Sequence, residues 1–129
     1  MNKFLTLARC ALLLAPAVCA AGEVIANPAS PLTAAEVRDV FIGEKQLAGG
    51  LKLVPVDNAA AQADFVGKVL QMELPKYTAM WTKKAFRDGL TAPAVKGSDA
   101  EVVSFVKSTP GAVGYVSGAS TGVKVLQKF

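Results

Sequence analysis

From Glu23 onward the sequence alternates short apolar runs with segments marked by helix-start and helix-stop residues, and no other feature restricts the fold as much. Glu23 to Asn27, with Val24 and Ile25 inside it, reads as a strand that Pro28 and Pro31 bring to an end. Thr33 and Glu36 have the spacing of a capping box, which predicts a helix through Ile42 with Val37, Val40 and Phe41 on one face. Gly43 follows, where a left-handed residue closes a helix. Gly49-Gly50 leads into a second strand, Leu51 to Val56. Asp57 or Asn58 then caps a helix that aligns Phe65, Val66, Val69 and Leu70. Pro75 in a first turn starts a third helix, with Leu74, Tyr77, Trp81 and Ala85 directed inward. Ser98 and Glu101 make a second capping box ahead of Val102, Phe105 and Val106 on the core side. Pro110-Gly111 turns the chain into a strand from Ala112 to Val116, Ser117 to Gly122 is a loop, and Val123 to Gln127 is the last strand.

The first residues follow a different logic. Lys3 and Arg9 give a basic start, Cys10 to Val18 is apolar, and Ala20, Ala21 and Gly22 are small. That is the form of a secretory signal peptide over residues 1–21, with cleavage after Ala20 or Ala21. The run is well short of the ~20 apolar residues that span a bilayer. A lipid anchor on Cys19 is the competing reading, and Val18 stands where such signals place a small residue. Both cysteines, Cys10 and Cys19, leave with this segment, and the chain contains 0 histidines. Thiol, disulfide and histidine chemistry are therefore excluded from the exported part, together with Ser-His-Asp and Cys-His catalysis. No paired carboxylates stand out for acid–base work, so no enzyme, no cofactor and no metal are expected. Loss of Lys3 and Arg9 lowers the net charge from +4 by 2, to +2. Lys76, Lys83, Lys84 and Arg87 cluster on one helix without interleaved aromatics, which fits a solvated face and not a nucleic-acid site.

Removing 21 of 129 residues leaves 108, enough for one core. Alternation within that length implies an α/β fold, a single three-layer domain over residues 22–129, with a mixed sheet of about four strands and helices on both faces.

One ordered series of motifs is more specific than the alternation. Trp81 lies on a helix that ends in Phe86 to Gly89, a helix capped by Ser98-Asp99 follows, and Pro110-Gly111-Ala112-Val113-Gly114-Tyr115 opens a strand. Upstream, Leu32 to Gly43 is a capped helix followed by the strand Leu51 to Val56. This series resembles the second lobe of the periplasmic substrate-binding proteins of phosphate ABC transporters and covers nearly all of residues 22–129. The resemblance implies one lobe of a type II periplasmic binding protein, non-catalytic and periplasmic or secreted.

The ligand turn departs from that family. Its members carry a Ser-Gly-Thr type motif between the second strand and its helix, where hydroxyls and amides at the helix start hold phosphate. The corresponding turn here, Asp57-Asn58-Ala59-Ala60-Ala61-Gln62, has no glycine, no hydroxyl and no arginine, and Asp57 puts a negative charge where the anion would sit. The candidate ligand residues are Asp57, Asn58 and Gln62 in this turn, and Ser117, Ser120 and Thr121 in a loop rich in hydroxyls and glycine. Two functions follow as expectations. One is binding of a small oxyanion or other solute, with a second lobe supplied by dimerisation or otherwise. The other is a protein–protein interaction domain of the cell envelope that has lost its solute. Neither involves nucleic acid or a membrane span.

Overall fold

The computed structural model describes residues 21–129, so residues 1–20 of the signal segment inferred above lie outside the described residues. Five strands form the main sheet in the order β5-β4-β6-β1-β7. These are β1 (Glu23–Ala26), β4 (Val54–Asn58), β5 (Ala94–Lys96), β6 (Ala112–Val116) and β7 (Lys124–Lys128). β4 runs parallel to both β5 and β6, whereas β1 is antiparallel to β6 and β7, so the sheet is mixed. β2 (Leu47–Ala48) and β3 (Leu51–Lys52) form a separate hairpin.

That hairpin corrects the expected strand from Leu51 to Val56. Gly49 and Gly50 have φ of 57° and 81°, the paired left-handed conformation of a two-residue hairpin turn. Leu51 and Lys52 therefore pair back onto Ala48 and Leu47, and only from Val54 does the chain enter the main sheet. β5 has no counterpart among the expected strands. Its three residues lie between Pro93 and Gly97, and Ala94 and Val95 are exposed, so no apolar alternation marks them.

Side-chain alternation along the strands divides the core in two. On one face Val24, Val113 and Tyr115 meet α1 (Val37–Phe41), α2 (Gln62–Lys68) and α3 (Leu74–Asp88). On the other, Ile25, Val56, Ala112 and Val116 meet α4 (Asp99–Ser108) through Val102 and Val106. Gly114 faces α4, and a Cβ there would come within 2.7 Å of Val102 and 3.0 Å of Val56, so its glycine sets how closely α4 approaches the sheet.

The helix ends show the local chemistry at work. Glu36 accepts the Thr33 backbone N–H at 2.9 Å, the reciprocal half of a capping box, and a 3₁₀ turn (Ala34–Glu36) leads into α1. Gly43 is left-handed (φ 82°), and the Trp81 indole N–H donates to the Phe41 carbonyl at 3.0 Å, satisfying an acceptor at the end of α1. On α3, Tyr77 and Trp81 are buried, but Ala85 is exposed because the last turns run past the core. Phe105 is half-buried at the sheet margin, beneath the Lys96 ammonium 4.5 Å from its ring, and is not a full core residue.

Candidate functional site

In α/β sheets, ligands bind outside the carboxyl ends of parallel strands. Here that edge carries the ends of β4 and β6, the start of α2 and the start of α4. The expected cap of α2 is not found there. Asp57 and Asn58 do not cap α2; they continue β4, pairing with Val95 and Lys96 of β5, and α2 begins at Gln62 with no side-chain cap.

Strand alternation therefore turns Asp57 away from solvent and into the aromatic face, where it is only 2% exposed. Its Oδ1 accepts the Tyr115 hydroxyl at 2.7 Å and its Oδ2 the Tyr77 hydroxyl at 2.9 Å. Burial pushes the Asp57 carboxyl above its usual range, against the hydrogen bonds from Tyr115, Tyr77 and Gln62 that lower it. Burial and the neighbouring carboxylate likewise raise both tyrosine hydroxyls. No lysine or arginine among the described residues forms an ion pair with Asp57. Asp57 and Gln62 line a cleft of about 460 Å³ with Tyr77, Thr78, Trp81 and Thr82 of α3.

Asn58 belongs to a second cluster, on the α4 side. Its amide donates to Asp99 at 2.7 Å and to the Tyr115 carbonyl at 3.0 Å, while its Oδ1 accepts the Ala60 N–H. Asp99 also receives the Ser117 N–H at 3.0 Å and the Ser117 hydroxyl at 2.7 Å. Burial alone would raise the Asp99 carboxyl, but these bonds from Ser117 and Asn58 outweigh it and hold the group below its usual range. Ser120 lies apart from both clusters, giving its N–H and hydroxyl to Glu23. Thr121 is exposed on the loop between β6 and β7.

The six residues singled out in the sequence thus fall in four places. Asp57 and Gln62 share the cleft, Asn58 and Ser117 meet through Asp99, Ser120 sits on Glu23, and Thr121 stands alone. The donors Asn58, Ser117 and Ser120 are already taken by carboxylates of the same chain, Asp99 and Glu23. Sequence reasoning set Tyr77 and Trp81 on the core side because their i, i+4 spacing is that of a buried helix face; both are buried there and also edge the cleft. The same reasoning missed Asp99 as the acceptor because an acid just after a serine cap is the ordinary start of a helix. Among the described residues no group of three histidines, cysteines or acids is placed to hold a metal, and no helix is long and apolar enough to cross a membrane.

The architecture is that of one lobe of the substrate-binding proteins that serve phosphate ABC transporters. An ABC-type phosphate transport receptor from Vibrio cholerae matches with a TM-score of 0.52 at 20% identity, over 83% of this chain and 45% of that one. A putative phosphate ABC transporter substrate-binding protein from Clostridium perfringens, with bound phosphate, matches at 0.58 and 15%, over 83% and 44%. PstS from Borrelia burgdorferi matches at 0.53 and 18%, over 83% and 46%. The chain spans less than half the length of each, and at these identities the likeness shows the fold. No family model and no curated protein sequence matches the chain.

Proposed function

We propose that this chain is a non-catalytic, exported binding protein that uses one lobe of the phosphate-receptor fold to hold a small solute, and that it binds free phosphate weakly or not at all. The observation that carries the proposal is the fold shared with half of three phosphate-transport proteins. The weak phosphate affinity is supported by the strand-end edge. Asp57 puts a buried acid without a cation at the end of β4, beneath that edge, and the Asn58 and Ser117 donors are engaged by Asp99. Each hydrogen bond to a charged ligand is worth about 1.5–3 kcal/mol, so two or three lost donors remove most of an anion's affinity. Export is supported by the basic, apolar and small-residue order of residues 1–22.

A second reading, an interaction domain of the cell envelope without a solute, is favoured by the same donors, which are already engaged within the chain. A thermal-shift screen over oxyanions and small organic solutes separates the two. A solute at a hundred times its dissociation constant should stabilise the fold by about 2.7 kcal/mol. A panel in which no solute stabilises the protein supports the interaction domain. Phosphate binding at micromolar concentration by calorimetry would refute the weak-phosphate part.

A further inference from the structure

Asp57 is the most deeply buried acid among the described residues, and its charge has no partner of opposite sign. Hydroxyls from Tyr77 and Tyr115 satisfy hydrogen-bonding capacity without neutralising the carboxylate. A carboxylate buried without a cation opposes folding, since desolvation costs more than neutral donors return. The cleft beside it is about 460 Å³. Small-molecule sites run from about 300 to 1,000 Å³, so a compact organic molecule fits.

The lining decides which kind. No lysine or arginine contributes to it; the basic side chains of α3 (Lys76, Lys83, Lys84 and Arg87) line a different surface. Tyr77 and Trp81, 3% and 6% exposed, edge it with aromatic rings, which attract cations. Phe86 and Val95 border the same cleft and are 93% and 56% exposed, apolar area left open to solvent. An anion placed here would meet the Asp57 charge with nothing to offset it.

We propose that this cleft binds a small organic ammonium ion, with its charge toward the Asp57 carboxylate and its apolar body against Trp81, Phe86 and Val95. The site is opposite in charge preference to a phosphate site, although the fold is shared with phosphate receptors. The inference rests on reading the chain as a solute-binding lobe.

Trp81 is the 1 tryptophan of the sequence, so its fluorescence reports the cleft directly. Titration with phenethylammonium should give a saturable change. The neutral isostere 2-phenylethanol should bind at least about tenfold more weakly, the lower end of what a hydrogen bond to a charged group is worth. Asp57→Asn, which keeps the shape and removes the charge, should weaken phenethylammonium by a similar factor and leave 2-phenylethanol unchanged. Equal binding of the two probes to the wild-type protein overturns the proposal without any variant, as does absence of binding at millimolar phenethylammonium. If phenethylammonium fails while another solute of the thermal-shift panel stabilises the protein, the ammonium assignment falls and the binding lobe stands. If the whole panel fails, both fall.

Discussion

Replacing Asp57 by asparagine and by alanine separates the hydrogen bonds of its carboxylate from its charge. Tyr77 and Tyr115 are 3% and 0% exposed, and both hydroxyls end on Asp57. Asp57→Ala leaves these two donors buried without an acceptor. At about 1–3 kcal/mol for each unsatisfied group, the loss is roughly 2–6 kcal/mol. A domain holding about 5–15 kcal/mol in total is then close to unfolding. Asp57→Asn keeps an oxygen for one hydroxyl and offers an amide N–H to the other, the same acceptor-and-donor pair that the protonated acid presents, so the two proteins are matched when Asp57 is neutral. The charge is what differs, and pH exposes it. The folded-state carboxyl titrates above its ordinary value of 3.8, so the folded protein holds a proton that the unfolded chain has lost. Stability from this group is therefore fully present below the unfolded pKa and is lost as pH rises through the folded pKa. Other carboxylates titrate in both proteins and cancel in the difference. Urea unfolding followed by Trp81 fluorescence, from acid to neutral pH, should show Asp57→Asn matching the wild type in acid and gaining on it toward neutrality. An asparagine variant that instead loses stability relative to wild type as pH rises would refute the account, since the charge would then be a net stabiliser.

Three other perturbations test the remaining structure. Trp81→Ala removes a buried indole and its bond to Phe41 and should cost about 3–5 kcal/mol by denaturant unfolding, whereas Phe105→Ala, at the half-buried margin, should cost clearly less. Gly114→Ala drives a methyl against Val102 and Val56 and should cost about 1–3 kcal/mol; unchanged melting would mean that α4 moves away freely. Mass spectrometry of the periplasmic fraction should find an unlipidated N-terminus at Ala21 or Gly22, and retention of Met1 or a lipidated Cys19 would overturn the export reading.

Much of the fold was legible because its signals are local. The capping box at Thr33 and Glu36, the left-handed Gly43 and the Ser98 cap each depend on residues within one turn, and each stands where sequence placed it. Ala112 to Val116 was equally clear, because an uninterrupted apolar run after Pro-Gly has few alternatives to a buried strand. Gly49-Gly50 was read as a lead into a strand, and its hairpin was missed because Leu47 and Ala48 carry too little pattern to announce a partner.

The candidate site was decided by distance contacts. Read along the chain, an acid before Asn-Ala-Ala-Ala is a helix cap, since its nearest opportunity is a free N–H at a helix start. In the folded molecule β5 pairs with Asp57 and Asn58 from residues 95 and 96 and draws β4 two positions further. Alternation then points Asp57 at hydroxyls 20 and 58 residues away. The main alternation of strands and helices, the caps at Thr33 and Ser98 and the two-sided core follow from local signals in the sequence. Whether Asp57 caps a helix or lies buried and uncompensated beside a cleft depends on which strand forms its neighbour, and only the tertiary structure supplies that neighbour.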